Sequence, residues 1–148
     1  MATTLTCALI HFIFSTKGRA ALITPEVEPA LFAYIGGICV GHGCSLRAAG
    51  AADDHVHLLI SPGKEASMSS IMMHVKKDSS RWMNDRGGPQ FAWQDGYRAF
   101  SIGMSQLATA RAYLAKQRAH HRRVTFMEEF EDFLRRYEVD FDPTFLWT

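Results

Sequence analysis

Two histidines separated by one residue are the side chains best suited to chemistry in this sequence. His55 and His57 lie in an apolar run that continues to Ile60 and has the composition of a buried strand. Because side chains alternate along a strand, both rings lie on one face, with their Cα atoms about 6.6 Å apart. A divalent metal with bonds of about 2.1 Å to each ring fits that separation. The pair is equally compatible with two ordinary half-buried strand residues.

A tyrosine and a glutamine further along the chain form a second candidate pair. Tyr113 and Gln117 lie in a segment with helical character at 105–121. Their spacing of four residues predicts that they share one face of a helix, with about 5–6 Å between Cβ atoms. Taken alone, such a pair more often represents a packed aromatic ring beside a solvated amide.

The hydrophobic pattern and the turn residues predict the elements that carry these side chains. Alternating or continuous apolar runs indicate strands, and apolar residues at helical spacing indicate helices. Thr125 and Glu128 form a capping-box pattern at the start of a short last helix. In chain order we expect a strand at 5–14, a helix at 24–41, strands at 45–52 and 55–60, a helix at 67–84, a strand at 97–102, a helix at 105–121 and a helix from 125.

This order of elements is that of a ferredoxin-like split βαβ fold. The sequence therefore predicts an α+β fold with a four-stranded antiparallel sheet, helices packed on one face, and an extra C-terminal helix. The histidine strand is expected to be central, because each βαβ crossover returns beside its neighbour. A length of 148 residues with 47% hydrophobic content predicts a single domain over 1–148.

Positive charge is concentrated in parts of the chain, although the net charge is only +1. Five Lys and Arg residues and no acidic residue lie between positions 106 and 123, whereas the tail that follows is acidic. Such runs are often solvated surface, but they can also follow the phosphates of a nucleic acid. The cations that could follow such phosphates are Lys17, Lys76, Lys77, Arg81, Arg118 and Arg122, although their charge alone favours a solvated surface.

Several classes of protein are disfavoured by composition. The three cysteines form no Cys-x-x-Cys pair, which argues against a disulfide framework and a cysteine zinc site. No apolar stretch approaches the about 20 residues that a membrane helix requires. The apolar N-terminal stretch lacks the basic residues of a secretory leader, so we expect no membrane association and a cytoplasmic location.

The two candidate pairs and the aromatic segment at 91–101 together resemble the single-tyrosine HUH transposases over nearly the whole chain. His55, Val56 and His57 correspond to the His-hydrophobe-His motif of that family. The segment from Gln117 onward is similar to the branch associated with repetitive extragenic palindromes. That branch usually has Pro where this chain has Asp53, which affects the shape of the turn more than the chemistry.

The resemblance implies a metal-dependent enzyme that nicks and joins single-stranded DNA. It implies that Tyr113 is the nucleophile, forming a 5′-phosphotyrosine intermediate, and that His55, His57 and Gln117 bind Mg²⁺ or Mn²⁺. The implied partners are single-stranded DNA bearing a hairpin, which the six cations named above would contact, and a second copy of the chain in a homodimer. The absence of a Gly-x-x-x-x-Gly-Lys-Ser/Thr motif agrees with joining that needs no ATP.

Two other functions are compatible with the same residues. One is a domesticated protein that binds DNA hairpins without catalysis, although such a protein has no need for the tyrosine and all three metal ligands. The other is a hydrolytic metalloenzyme in which His55 and His57 activate water, which would make Tyr113 dispensable.

Overall fold

The computed structural model describes residues 3–121 and 125–136. The chain divides into two compact units, Met1–Arg118 and Ala119–Thr148. The predicted single domain over 1–148 stays a prediction. In chain order the elements are β1 Leu9–Ser15, α1 Glu28–Gly41, β2 Ser45–Ala51, β3 His55–Ser61, α2 Met68–Asp85, β4 Arg98–Ile102, α3 Leu107–Ala115, α4 Gln117–His120 and α5 Phe126–Arg136, with 3₁₀ turns at Lys17–Arg19 and Met104–Gln106.

The four strands of the first unit form one antiparallel sheet in the order β2-β3-β1-β4. This order and the two βαβ crossovers confirm the predicted α+β fold. The histidine strand, β3, lies between β2 and β1 and is central, as expected. In the register of the sheet, His57 pairs with Gly50 on one side and with Ile13 on the other.

The main hydrophobic core lies between one face of the sheet and helices α1 and α2. Alternate residues of the central strands, including Phe12, Phe14 and Leu58, pack against apolar residues that recur along both helices. The residues between them point to the opposite face of the sheet, and these include both histidines. The core residues that the two helices contribute are Leu31, Ile35, Cys39, Ile71, Met72 and Val75.

Helix α3 packs on the opposite face of the sheet, so the expectation that the helices share one face is wrong for this helix. Leu114 of α3 is buried with Leu9 and Leu59, and Tyr113 packs against that cluster. This second, smaller core covers the sheet on the side to which His55 and His57 point. The helix with the candidate nucleophile is therefore on the correct face for chemistry with the histidines.

The predicted continuous helix at 105–121 is interrupted. It begins with a 3₁₀ turn, α3 ends at Ala115, and Lys116 has non-helical angles of φ −105° and ψ 14° before α4 begins at Gln117. The Lys116 N–H donates to the Tyr113 carbonyl at 3.1 Å, which closes α3 with a tight turn. The segment contains no Pro or Gly, so its sequence shows no residue that would end a helix here.

Gly50 allows the end of α3 to lie directly on the sheet. A Cβ atom at this position would lie 2.9 Å from the Leu114 carbonyl carbon, closer still to its oxygen, and 3.1 Å from Gln117 Cγ. The Leu114 backbone cannot move away from a Cβ atom as a flexible side chain could, so only glycine fits under this helix. Because Gly50 pairs with His57, the same contact brings Gln117 close to the histidine.

The second unit contains α5 and the predicted capping box. The Glu128 N–H donates to Thr125 Oγ1 at 3.1 Å, and the Thr125 N–H donates to Glu128 Oε2 at 3.4 Å, which confirms the box. In the same unit His120 Nε2 and His121 Nε2 lie 3.0 and 3.1 Å from Glu129 Oε2. Within the described ranges, no helix is both long and apolar enough to cross a membrane.

Replacing Gly50 with alanine tests the contact between α3 and the sheet. We expect Gly50→Ala to lower the free energy of unfolding by about 1–3 kcal/mol, because the added methyl group collides with helix backbone. The matched control is Gly37→Ala in α1, where a Cβ meets nothing within 4 Å and alanine should stabilise the helix by up to about 1 kcal/mol. Urea unfolding measures both, and equal stability of Gly50→Ala and the parent would contradict the close approach.

Candidate active site

The two candidate histidines lie side by side in the buried middle of the sheet. His55 and His57 are both 0% exposed, and their ring centroids are 5.1 Å apart with an angle of 64° between the planes. They share the face covered by α3, as the alternation of a strand predicts. Fully buried imidazoles at the centre of a sheet need polar partners, and the structure shows two of these partners.

Asp54 orients the first histidine. Its Oδ1 lies 2.7 Å from His55 Nδ1, so the ring can donate Nδ1–H to the carboxylate and keep Nε2 for another interaction. Such a carboxylate behind an imidazole fixes the tautomer and increases the basicity of the nitrogen that binds a metal. Sequence reasoning assigned Asp54 no role at the site, and its position directly before His55 was the available signal.

His11 orients the second histidine. His11 Nε2 lies 2.9 Å from His57 Nδ1, and this side chain from β1 is itself buried. If His57 Nε2 binds a metal through its lone pair, then Nδ1 carries the proton and donates it to His11. Sequence reasoning missed this role, because His11 is 46 residues away along the chain and shows no ligand spacing.

Gln117 supplies an amide at the same face of the sheet. The residue begins α4 and is 1% exposed, and neither its Oε1 nor its Nε2 has a hydrogen-bond partner among the described residues. A buried polar group without a partner costs about 1–3 kcal/mol, which a ligand would offset. An amide oxygen is a suitable ligand for a hard divalent cation.

Tyr113 lies next to the histidines. Its half-buried ring is 6.1 Å from the His57 ring, centroid to centroid, with an angle of 86° between the planes. The break at Lys116 means that Tyr113 and Gln117 do not share a continuous helix face as predicted. Both residues nevertheless lie on the His57 side of the sheet, because the end of α3 contacts Gly50.

The polar groups in the first unit fit a divalent metal ion. Two imidazoles, each with its Nδ1 at hydrogen-bonding distance from a second group, can offer Nε2 to a ligand. The buried Gln117 amide adds an oxygen to this set. Such a mixed set of nitrogen and oxygen ligands with outer partners is typical of catalytic divalent metals.

Lys76, expected to contact DNA, has its ammonium group inside the fold. Nζ donates to the carbonyls of Gln94 at 2.8 Å, Asp95 at 3.3 Å and Gly96 at 2.5 Å, and it lies 5.3 Å from the centre of the Phe14 ring. Burial lowers the pKa of Lys76 from 10.5 to about 8. These contacts hold the loop before β4 and leave the ammonium no further proton for a phosphate.

Arg118 also has partners within the protein. Its guanidinium contacts the carboxylates of Glu28 and Asp53 and the carbonyl of Ile23. Lys17, Lys77 and Arg81 are exposed, so contact with DNA stays a prediction for these three. Arg122 lies outside the described residues.

Comparisons with known proteins identify the family of the chain. Residues 4–117 match the family described as Transposase IS200 like, and this range includes all four candidate site residues. The chain belongs to the IS200-like transposase family, which confirms the resemblance to single-tyrosine transposases seen in the sequence. The protein is therefore a transposase by family. No match is found among curated proteins.

Solved structures show the same fold. A candidate transposase from Deinococcus radiodurans R1 is 21% identical, with a TM-score of 0.62 over 80% of this chain and 97% of that chain. A REP-associated tyrosine transposase, solved bound to a REP hairpin, is 15% identical, with a TM-score of 0.59 over 82% of this chain and 74% of that chain. At these identities the two structures support the fold alone.

Lys76 and Lys77 allow the contribution of an internally bonded lysine to stability to be compared with that of an exposed one. We expect Lys76→Met to lower the free energy of unfolding by about 2 kcal/mol or more, because three loop carbonyls lose a charged donor. Lys77→Met, at an exposed position on the same helix, should change it by less than about 0.5 kcal/mol. Chemical denaturation of both variants measures the difference.

The lowered pKa of Lys76 gives a separate prediction, because it reflects the cost of burying the ammonium group and not the benefit of its carbonyl contacts. Between about pH 8 and pH 10.5 the unfolded chain retains the Lys76 proton while the folded chain has released it. The free energy of unfolding therefore rises with pH in this window, and the rise should be smaller in Lys76→Met than in the parent. Equal stability of Lys76→Met and Lys77→Met would show that the carbonyl contacts contribute nothing, and equal pH dependence would show that burial does not lower the pKa of Lys76.

Proposed function

We propose that this transposase cuts and rejoins single-stranded DNA, with Tyr113 as the nucleophile and a 5′-phosphotyrosine as the intermediate. The observation that carries the proposal is the position of the Tyr113 ring beside His57. The buried Gln117 amide and the His55 ring on the same side of the sheet complete the set. This combination of a phenol with candidate metal ligands has a direct use in phosphoryl transfer, beyond the packing of the Tyr113 ring against its apolar neighbours.

His55, His57 and Gln117 would hold the metal, Mg²⁺ or Mn²⁺. When bound, a divalent cation polarises the scissile phosphate and stabilises negative charge on the departing oxygen. Two imidazoles and an amide oxygen suit Mn²⁺ somewhat better than Mg²⁺, because nitrogen ligands favour the softer ion. Asp54 and His11, at hydrogen-bonding distance from the two Nδ1 atoms, would orient the rings so that each can offer Nε2 to the metal.

Tyr113 would carry out the covalent step. Its oxygen attacks the scissile phosphorus, the new bond joins that oxygen to phosphorus, and the bond from phosphorus to the 3′ oxygen breaks. The phenol proton passes to solvent or a nearby base, and the departing 3′ oxygen takes up a proton to become a hydroxyl. Attack by a 3′ hydroxyl on the phosphotyrosine reverses these bonds, so joining needs no ATP.

The DNA partner would be a single strand that bears a hairpin. Support comes from the REP-associated tyrosine transposase, which was solved bound to a REP hairpin. The exposed cations at Lys17, Lys77 and Arg81 can contact phosphates, which position a strand without reading its sequence. The homodimer stays a prediction, and one copy already contains Tyr113 and its three metal-binding partners.

Replacing the tyrosine tests the proposal directly. The substrates are end-labelled single strands with a hairpin, taken from the flanks of the gene, and the same sequences as full duplex. We expect the parent to form an adduct with the hairpin strand that survives a denaturing gel, and to form far less with duplex. Tyr113→Phe should form none, because the nucleophilic oxygen is absent, yet it should bind the hairpin and unfold within about 1 kcal/mol of the parent.

Two controls decide between the candidate functions. Chelation with EDTA should abolish adduct formation by the parent, and added Mn²⁺ should restore it. An adduct from Tyr113→Phe would contradict the nucleophile assignment. Hairpin binding by the parent without any adduct, with or without Mn²⁺, would instead support the domesticated binding protein.

A further inference from the structure

We propose that Arg118 is a positioning residue, which holds the Gln117 amide at the metal site and does not contact DNA phosphates. The inference rests on the proposed function, because it assigns Gln117 to the metal. It also replaces the role in DNA binding that the sequence suggested for Arg118. The grounds are the partners of its guanidinium and the break in the helix just before it.

All three nitrogens of the Arg118 guanidinium donate to groups of the same unit. Nε donates to Glu28 Oε2 at 2.8 Å, Nη2 donates to the Ile23 carbonyl at 2.9 Å, and Nη1 donates to Asp53 Oδ1. The side chain is 24% exposed. A guanidinium between two carboxylates has its charge neutralised locally, so it has little to offer a phosphate.

The partners of Arg118 belong to elements that carry or support the site. Asp53 lies in the turn before β3 and is followed by Asp54, which orients His55. The Ile23 N–H donates to the Asp53 carbonyl at 2.9 Å, so the partners are joined to one another. Glu28 begins α1. The two adjacent acidic residues therefore connect the histidine strand to the glutamine segment.

The glutamine needs such support because α3 does not extend to it. Lys116 interrupts the helical hydrogen bonds between Tyr113 and Gln117. The Gln117 amide has no hydrogen-bond partner among the described residues that would orient it. The neighbouring Arg118 makes three directional contacts instead, and a group that orients a metal ligand commonly changes metal affinity by 10- to 100-fold.

Mn²⁺ affinity of the full chain without DNA tests the assignment. Titration calorimetry, or electron paramagnetic resonance of free Mn²⁺, should show about 10-fold weaker binding by Arg118→Gln than by the parent. Asp53→Asn should weaken Mn²⁺ binding in the same direction, although it removes an acidic residue that cannot contact phosphate. The double variant should bind no more weakly than Arg118→Gln, because the contact with Asp53 is already lost when Arg118 is replaced.

The matched control is Lys116→Gln. It removes one positive charge from the other neighbour of Gln117, at an exposed position, and should leave Mn²⁺ affinity within about twofold of the parent. Binding to a single-stranded hairpin in EDTA gives a second readout. Loss of a phosphate contact lowers the slope of log affinity against log salt by about 0.7, and we expect no such change for Arg118→Gln.

The outcomes separate this inference from the proposed function. Parent-like Mn²⁺ affinity in Arg118→Gln, with binding still weakened by His57→Phe, would overturn the role of Arg118 alone. Mn²⁺ binding that is absent in the parent, or unaffected by His57→Phe, would overturn the metal site and this inference with it. If Arg118→Gln fails to fold in a thermal melt, Asp53→Asn decides, and unchanged Mn²⁺ affinity in that variant overturns the inference.

Discussion

The close contact between the Leu114 backbone and Gly50 is the constraint on which the candidate site depends. A sheet residue with any side chain would move the end of α3 away from β2. Gly50 pairs with His57, so the contact determines how closely Tyr113 and Gln117 approach the histidine. The site therefore depends on a residue with no chemistry of its own, because glycine alone lets a helix lie against a strand at this distance.

Around that contact, buried polar groups are arranged in two layers. The inner layer contains the candidate metal ligands and the candidate nucleophile. The outer layer contains Asp54 and His11, which orient the imidazoles. A polar group that is buried in the middle of a sheet lowers the stability of the fold unless it has a hydrogen-bond partner or a ligand. Both histidines have specific partners, and the Gln117 amide has no partner among the described residues, which is the arrangement that we expect of a ligand site under the proposed function.

The sequence predicted what depends on local pattern and missed what depends on contacts between distant segments. Strand alternation placed His55 and His57 on one face, and element order gave the α+β fold with a central β3. Packing between distant segments produces the break at Lys116 and places α3 on the second face of the sheet. No residue type near these positions in the sequence predicts either feature. Likewise, positive charge together with the family resemblance suggested DNA contacts for Lys76 and Arg118, whereas the fold gives these two residues internal partners.

The central claim is that His55 and His57 bind the metal beside Tyr113, and pulsed electron paramagnetic resonance of bound Mn²⁺ tests it most directly. Electron spin-echo envelope modulation detects the nitrogen nuclei of coordinated imidazoles. We expect modulation from two histidine nitrogens in the parent and from one in His57→Phe, with Tyr113→Phe unchanged. A spectrum with no nitrogen modulation, or one unaltered by His57→Phe, would contradict a metal centre built on this strand.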